Sequence, residues 1–309
     1  MSADEHAAHP VSHPLEGLQG FVGTPAGRAH LLRRIDGFIT HTEATLENIE
    51  KARDLIRHGH VPLLYSNHQS HADKLMVSGI IQMLLQHGSD ASITDFLVPV
   101  AATIESGEQG GYIQQLLSLF EPLYRDRGFG PDIPIITAND RQTRGAEGSN
   151  TESVRRLMNA PRDRHGLVMF PEATLTGGRR ADDGVLHGMQ EVTALNGSGL
   201  VGYPKFWLKR KLGQAVYLPI GISGSYRIYP PDPGRNEIAP EVIAGILGDG
   251  ETEALVTVSA GSPFTYTELR DEIGEEPDHK QNGHLELMMG KVAELLPTEE
   301  QGYYRRSKG

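Results

Sequence analysis

The feature that most restricts the fold is a change in polarity between residues 61 and 85. Residues 61–66 read Val-Pro-Leu-Leu-Tyr-Ser, a short apolar run that is typical of a buried strand. Residues 67–73 are polar and include two histidines, and apolar residues at helical spacing then predict a helix over 72–86. The polar cluster therefore lies where a strand ends and a helix begins, the position at which open α/β sheets bind ligands.

The same alternation of apolar runs and helical patterns recurs along the chain. Further strands are predicted at 95–101, 121–127, 166–171, 215–222 and 255–259. Helical spacing returns over 151–159 and 285–296. Such alternation predicts an α/β fold in which a mixed, largely parallel sheet is flanked by helices.

The chain before this alternation has a different pattern. Apolar residues recur at helical spacing among many charges from about residue 28 to residue 58. We therefore predict a disordered leader over 1–14, a small helical N-terminal subdomain over 15–59 and an α/β domain over 60–309.

Composition excludes several classes of function. The 309 residues carry a net charge of −11, which argues against nucleic acid as a partner. The absence of cysteine excludes disulfides, thiolate metal sites and a cysteine nucleophile. No apolar run approaches the about 20 residues that span a bilayer, and the N-terminus does not resemble a signal peptide. These features predict a soluble, cytoplasmic protein.

His68 and Asp73 form the strongest candidate for catalysis. Their spacing spans the turn from a strand into the first turn of a helix, where the carboxylate can accept a hydrogen bond from one imidazole nitrogen. Imidazole so oriented is a general base near neutral pH, because its reference pKa is about 6.5. No protein nucleophile accompanies the pair, which favours a substrate hydroxyl in that role. Helix capping would explain the aspartate but not the histidines.

A metal site is an alternative use of the same cluster. His68, His71 and Asp73 are all plausible zinc or iron ligands. Their spacing fits neither the His-Glu-x-x-His motif nor a facial triad, so we expect no metal. A metal-dependent hydrolase nevertheless remains a distant alternative function.

Arginine pairs follow two of the predicted strands. Arg125 and Arg127 would share one face of a strand, and Arg179 and Arg180 follow two glycines. Guanidinium groups suit phosphate because they donate two parallel hydrogen bonds. In a chain of net charge −11 these pairs indicate a phosphate-bearing substrate, whereas the plain alternative is pairing with neighbouring aspartates.

The segment 203–211 interleaves basic and aromatic residues and contains the single tryptophan, Trp207. This composition is typical of contact with a bilayer interface and predicts peripheral membrane contact through the segment. A solvated loop with one buried anchor explains the composition equally well.

Taken together, four stretches resemble the glycerophospholipid acyltransferase superfamily. Residues 67–73 resemble its Asn-His-x-x-x-x-Asp block, and residues 170–179 its Phe-Pro-Glu-Gly-Thr block. Residues 124–127 and 217–222 are similar to its basic block and its proline-containing block. Their order and separations agree over roughly residues 60–265, and the soluble plastid and bacterial glycerol-3-phosphate acyltransferases are the most similar members. The chain departs from the pattern at Ala173, which replaces a glycine.

The resemblance implies an acyltransferase without a cofactor. His68 would deprotonate the acceptor hydroxyl, Asp73 would orient it, and the alkoxide would attack acyl-CoA or acyl-carrier protein directly. Ser70 would help to steady the oxyanion, and Glu172 would shape the acceptor pocket. The substrate-binding positions implied are Ser70, Arg125, Arg127, Glu172, Thr174, Gly178 and Arg179.

The resemblance leaves more than one acceptor open. The first choice is the sn-1 hydroxyl of glycerol 3-phosphate, which would make lysophosphatidic acid for phospholipid biosynthesis. The rival is 1-acylglycerol 3-phosphate or another lipid alcohol. A protein that binds lipid or phosphate without catalysis is a different class that the residues leave open.

Overall fold

The described part of the chain forms an α/β fold in which a mixed, largely parallel sheet lies between helices. The structure is a computed structural model, and it describes residues 19–70, 72–85, 93–101, 120–130, 133–135, 151–171, 179–180, 186–187, 204–227, 255–274, 283–302 and 304. The fold class predicted from the sequence is confirmed.

The strands are β1 Ile39–Thr40, β2 Val61–Ser66, β3 Asp95–Leu97, β4 Pro99–Ala101, β5 Ile133–Ile135, β6 His165–Met169, β7 Arg179–Arg180, β8 Leu186–His187, β9 Ala215–Ser223, β10 Val256–Ala260 and β11 Phe264–Thr265. The helices are α1 Pro25–Gly37, α2 Glu43–Arg57, α3 Asp73–Leu85, α4 Thr151–Asn159, α5 Tyr266–Ile273 and α6 Gly283–Ala293. Residues 120–126 and 204–209 are also helical, and short 3-10 helices span Ser225–Arg227 and Thr298–Glu300.

The main sheet has the strand order β1-β10-β9-β2-β6-β3, and β11 also pairs with β9. Strands β9, β2, β6 and β3 are mutually parallel, whereas β10 and β11 run antiparallel to β9. Two short pairs, β4 with β5 and β7 with β8, lie outside this sheet. The carboxyl ends of β2, β6 and β9 therefore meet at one edge.

Both faces of the central strands are covered, which is why every residue of β2 is buried. Leu64 packs into a core with α1, α2, α3 and residues 120–129. Leu63 and Tyr65 point the other way, into a core with α4, α5 and α6. This alternation along one strand places a hydrophobic layer on each side of the sheet.

The N-terminal helices share a core with the sheet. Thr24 caps α1, since its hydroxyl accepts from the Gly27 amide at 3.1 Å, and β1 then pairs in parallel with β10. Apolar side chains of α1 and α2 pack in the same cluster as α3: Leu31, Leu32, Ile35, Ile49 and Ile56. The boundary at residue 59 stays a prediction, and the leader predicted over 1–14 lies outside the described residues.

Two of the predicted strands were wrong in detail. Residues 120–126 are helical, because Phe120, Leu123 and Tyr124 lie three and four residues apart and are buried together at helical spacing. The strand predicted over 95–101 is divided, since β3 joins the main sheet and β4 pairs with β5 instead. Short apolar runs fit both periodicities, and packing against the core decides between them.

Candidate active site

The sheet register brings three distant segments to one edge. Ser66, the last residue of β2, pairs with Ile220 of β9, so the loop after β2 lies beside the loop after β9. β6 pairs with the other side of β2, and Phe170 follows its last residue. The histidine and aspartate predicted from the sequence therefore meet residues from two other strand ends.

His68 and Asp73 form the hydrogen-bonded pair that their spacing predicts. The imidazole Nδ1 lies 2.9 Å from Asp73 Oδ2. Asp73 has no exposed side-chain surface, and His68 is 21% exposed. A carboxylate only accepts, so in the neutral imidazole Nδ1 is the donor and Nε2 is the nitrogen that can accept a proton. The Phe170 ring covers the imidazole at a centroid distance of 4.6 Å.

Three further donors hold the Asp73 carboxylate. Oδ2 accepts from the backbone amides of Gln69 at 2.6 Å and Ser70 at 2.9 Å, so the carboxylate closes the loop that leads into α3. Oδ1 accepts from the Ser225 hydroxyl at 2.5 Å. Ser225 was not singled out in the sequence, because it lies 152 residues away and a lone serine gives no signal.

Asn67 ties the loop after β2 to β9. Its Nδ2 donates to the Ile222 carbonyl at 2.8 Å, and the Ile222 amide donates to its Oδ1 at 2.8 Å. The side chain is fully buried, so both bonds lie away from water. This two-bond bridge continues the β2–β9 pairing past the end of the strand and fixes the position from which His68 projects.

Gly224 makes the turn that delivers Ser225. Its φ is +88°, and a Cβ at this position would lie 2.5 Å from the Leu255 carbonyl oxygen. Only glycine accepts this conformation and this close approach. Its amide also donates to Gln69 Oε1 at 3.2 Å, which joins the turn to the loop after β2.

Two tyrosines beneath this edge do not compete with His68 as bases. Burial raises the pKa of Tyr65 well above its ordinary value, with further increases from nearby Tyr217 and Glu272. Burial likewise raises the pKa of Tyr217. Both phenols therefore stay protonated at neutral pH.

Ser70 belongs to the site, but its contacts are those of a helix start. It is fully buried, and its hydroxyl accepts from the Ala72 amide at 3.0 Å. Its own amide donates to Asp73. The structure thus gives Ser70 a place in the loop, and the oxyanion role stays a prediction.

Arg127 lies in the fold at a distance from the His68–Asp73 pair. Its guanidinium donates to Asp36 at 2.6 Å and to the Leu32 carbonyl at 3.3 Å, and it also contacts Gln82. Gln82 is nine residues after Asp73 on α3, about 13 Å along the helix axis. The structure therefore joins Arg127 to α1 and the far end of α3.

Arg125 faces solvent from the neighbouring helical turn. Its side chain is 45% exposed and pairs with Glu121 at 3.2 Å, four residues earlier. An exposed pair of this kind contributes little to stability. The structure does not bring Arg125 into contact with the residues that hold His68, so its substrate-binding role stays a prediction.

Replacing Arg127 with methionine is expected to destabilise the fold and leave the KM for a phosphate-bearing substrate unchanged. The change removes the charged hydrogen bonds that a buried guanidinium makes to Asp36 and the Leu32 carbonyl, which costs about 1–3 kcal/mol. Thermal unfolding and steady-state kinetics measure the two effects, with Arg155→Met, at an exposed arginine paired with Glu152, as the control. A raised KM without a loss of stability would instead support phosphate binding by Arg127.

Lys74 is a cation at this edge that the sequence did not single out. It directly follows Asp73, and its ammonium lies 4.4 Å from the centroid of the Tyr124 ring and 5.3 Å from that of Phe129. Cation–π attraction holds the ammonium against these rings. The sequence signal that could have identified Lys74 is its position directly after Asp73, the aspartate of the Asn-His-x-x-x-x-Asp block.

Of the remaining predicted binding residues, Arg179 is the one whose backbone the structure describes. Arg179 is in the β7–β8 pair, and the backbone of β8 lies within 8 Å of the second 3-10 helix, Thr298–Glu300. That helix contacts the loop after β2, since Glu300 accepts a hydrogen bond from Gln69 at 2.7 Å. Glu172, Thr174 and Gly178 lie outside the described residues.

The metal alternative rests on a residue that the structure does not describe. Among the described residues, no group of three or more histidine, cysteine, aspartate or glutamate side chains converges in the manner of a metal site. His71 lies outside those residues, so the set His68, His71 and Asp73 stays untested.

The basic segment 204–211 lies at the opposite edge of the sheet. Trp207 is fully buried, and its Nε1 donates at 3.1 Å to the carbonyl of Met158, near the end of α4 and before β6 begins. The tryptophan is therefore a core anchor. In the part of the chain that the structure describes, no helix is long and apolar enough to cross a bilayer.

The arrangement at the strand edge is suited to removing a proton from a substrate hydroxyl. A partly exposed imidazole is held at one nitrogen by a fully buried carboxylate, and its other nitrogen is basic.

Searches against protein-family models and curated proteins found no match to the chain. The function is therefore inferred from the site and from the motifs in the sequence.

Proposed function

We propose that the protein is an O-acyltransferase that moves a fatty acyl group from acyl-CoA or acyl-carrier protein to the sn-1 hydroxyl of glycerol 3-phosphate. The observation that carries the proposal is the 2.9 Å bond between His68 Nδ1 and buried Asp73, at the carboxyl end of a central parallel strand. The four-block resemblance supplies the reaction class.

In the proposed reaction, His68 Nε2 takes the proton of the acceptor hydroxyl while the alkoxide oxygen attacks the thioester carbonyl. A new C–O bond forms, and the tetrahedral intermediate collapses with cleavage of the C–S bond. The imidazolium returns its proton to the departing thiolate. Asp73 stabilises the imidazolium that exists between these proton transfers, and no acyl-enzyme forms.

The acceptor phosphate is assigned in this proposal to the segment that contains Arg179. Arg127 is engaged with Asp36 and the far end of α3, which leaves it poorly placed for a small acceptor at His68. The β7–β8 pair lies near the 3-10 helix that contacts the loop before Asp73. This backbone proximity is what supports assigning the phosphate to that segment.

The acceptor assignment is tested by supplying acyl-CoA with either glycerol 3-phosphate or 1-acylglycerol 3-phosphate. We expect turnover with the first and at least about tenfold lower kcat/KM with the second, a difference of about 1.4 kcal/mol. The measurement is release of free thiol together with mass spectrometry of the lipid product. Activity on the acylated acceptor alone would move the assignment to the next acylation step.

The same assay separates the other classes of function. A metal-dependent hydrolase would lose activity in chelator and would release free fatty acid. A non-catalytic binding protein would bind the acceptor without turnover. We expect acyl transfer to persist in chelator, and we expect the acylated product and the free thiol to form in equal amounts.

The location that accompanies this proposed function is the cytoplasm, with peripheral contact to a membrane. Because Trp207 is buried, such contact would rest on the exposed residues of the same segment: Lys205, Leu208, Lys209, Arg210 and Lys211. These side chains lie at the sheet edge opposite His68, so the membrane would not meet the site directly.

A further inference from the structure

A buried carboxylate lies beside the candidate site on the second 3-10 helix. Glu300, in the 3-10 helix Thr298–Glu300, is only 5% exposed. It accepts from Gln69 Nε2 at 2.7 Å and from the Ser223 hydroxyl at 2.8 Å. A buried carboxylate is costly unless it is well hydrogen-bonded, and both of its partners come from the loops that form the site.

The first partner leads directly to the catalytic pair. The Gln69 side chain donates to Glu300, while the Gln69 backbone amide donates to Asp73 Oδ2 at 2.6 Å. Gln69 Oε1 in turn accepts from the Gly224 amide. Gln69 is thus held at both ends of its side-chain amide, and its position fixes one of the donors to Asp73.

The second partner, Ser223, leads to the other carboxylate oxygen of Asp73, Oδ1. Ser223 is the last residue of β9 and lies two residues before Ser225, which donates to Asp73 Oδ1. Glu300 therefore joins the two segments that supply the donors to Asp73, one after β2 and one after β9. A side chain that only filled space would not need to accept hydrogen bonds from both segments.

We propose that Glu300 is a positioning residue for the His68–Asp73 pair. It holds the loop after β2 against the turn after β9, so that Asp73 keeps both of its oxygens bonded and His68 keeps its orientation. The effect on rate rests on the proposed acyltransferase function, whereas the effect on the geometry of the loop does not.

The kinetic test compares three variants of the full-length protein. Glu300→Ala is expected to lower kcat by about 10- to 100-fold with little change in acceptor KM, because misplaced catalytic groups slow the chemical step. Glu300→Gln should recover much of that loss, since its carbonyl oxygen can accept from Gln69. Glu299→Ala, at the exposed neighbouring position, should behave as wild type.

A second measurement does not depend on activity. Hydrogen exchange of the Gln69 and Ser70 amides, which donate to Asp73, should accelerate at least about tenfold in Glu300→Ala and not in Glu299→Ala. If these amides stay protected, or if exchange rises equally throughout the sheet, the proposal is overturned. Should Glu300→Ala fail to fold, Ser223→Ala removes one of the two bonds and carries the same test.

The two measurements also separate the inference from the proposed function. Suppose that hydrogen exchange of these amides accelerates selectively in Glu300→Ala, but the wild-type protein has no acyltransferase activity. That result would refute the proposed function and leave the positioning role intact. Acyltransferase activity that is the same in Glu300→Ala and wild type would refute the positioning role alone.

Discussion

Replacing His68 with alanine is expected to lower kcat by about 10²–10⁴-fold, the usual contribution of a general base. The imidazole is partly exposed at 21%, and its bond to Asp73 involves Nδ1, so the loss falls on proton transfer. Binding of glycerol 3-phosphate should stay near the wild-type value, because the phosphate is assigned to a different segment. Steady-state kinetics and calorimetric titration with the acceptor measure the two quantities.

The matched control for His68→Ala is His58→Ala. His58 lies at the end of α2 with 70% of its side chain exposed, so its removal should leave turnover unchanged. The base assignment is refuted if His68→Ala turns over substrate at the wild-type rate. Loss of acceptor binding in the same variant would instead place His68 in the binding pocket.

Replacing Asp73 with asparagine is expected to reduce both activity and stability. The carboxylate accepts from Gln69, Ser70, Ser225 and His68, and an amide can accept at only one of its two terminal atoms. We expect kcat to fall by about 10²-fold or more. The free energy of unfolding should fall by roughly 2–5 kcal/mol, because buried donors lose their partner.

Asp54→Asn provides the control for Asp73→Asn. Asp54 is an exposed carboxylate on α2 that lies 3.8 Å from His58, so it repeats the aspartate–histidine pairing outside the site. Chemical denaturation and kinetics on both variants give the comparison. Retained kcat in Asp73→Asn at a temperature where it is folded would rule out the orienting role.

The local part of the site was predictable from the sequence. β2 and α3 are adjacent in the chain, and the bond from His68 to Asp73 spans only five residues. Local periodicity fixes where the strand stops and the helix starts, and the helix then places its first carboxylate against the loop. A pattern of strand, polar turn and helix was therefore sufficient to find this pair. The bounds of α4 were also predicted correctly, because its apolar residues recur at helical spacing.

The tertiary structure alone decided which distant groups support the pair and which predicted groups do not. Ser225 bonds to Asp73 from 152 residues away and Glu300 to Gln69 from 231 residues away, and neither has a local pattern that marks it. Arg127 was predicted to share a strand face with Arg125, but the helix at 120–126 directs it to Asp36. Sequence periodicity reports the nearest turn of chain, whereas these contacts depend on strand order and register, which are set only when the whole core packs.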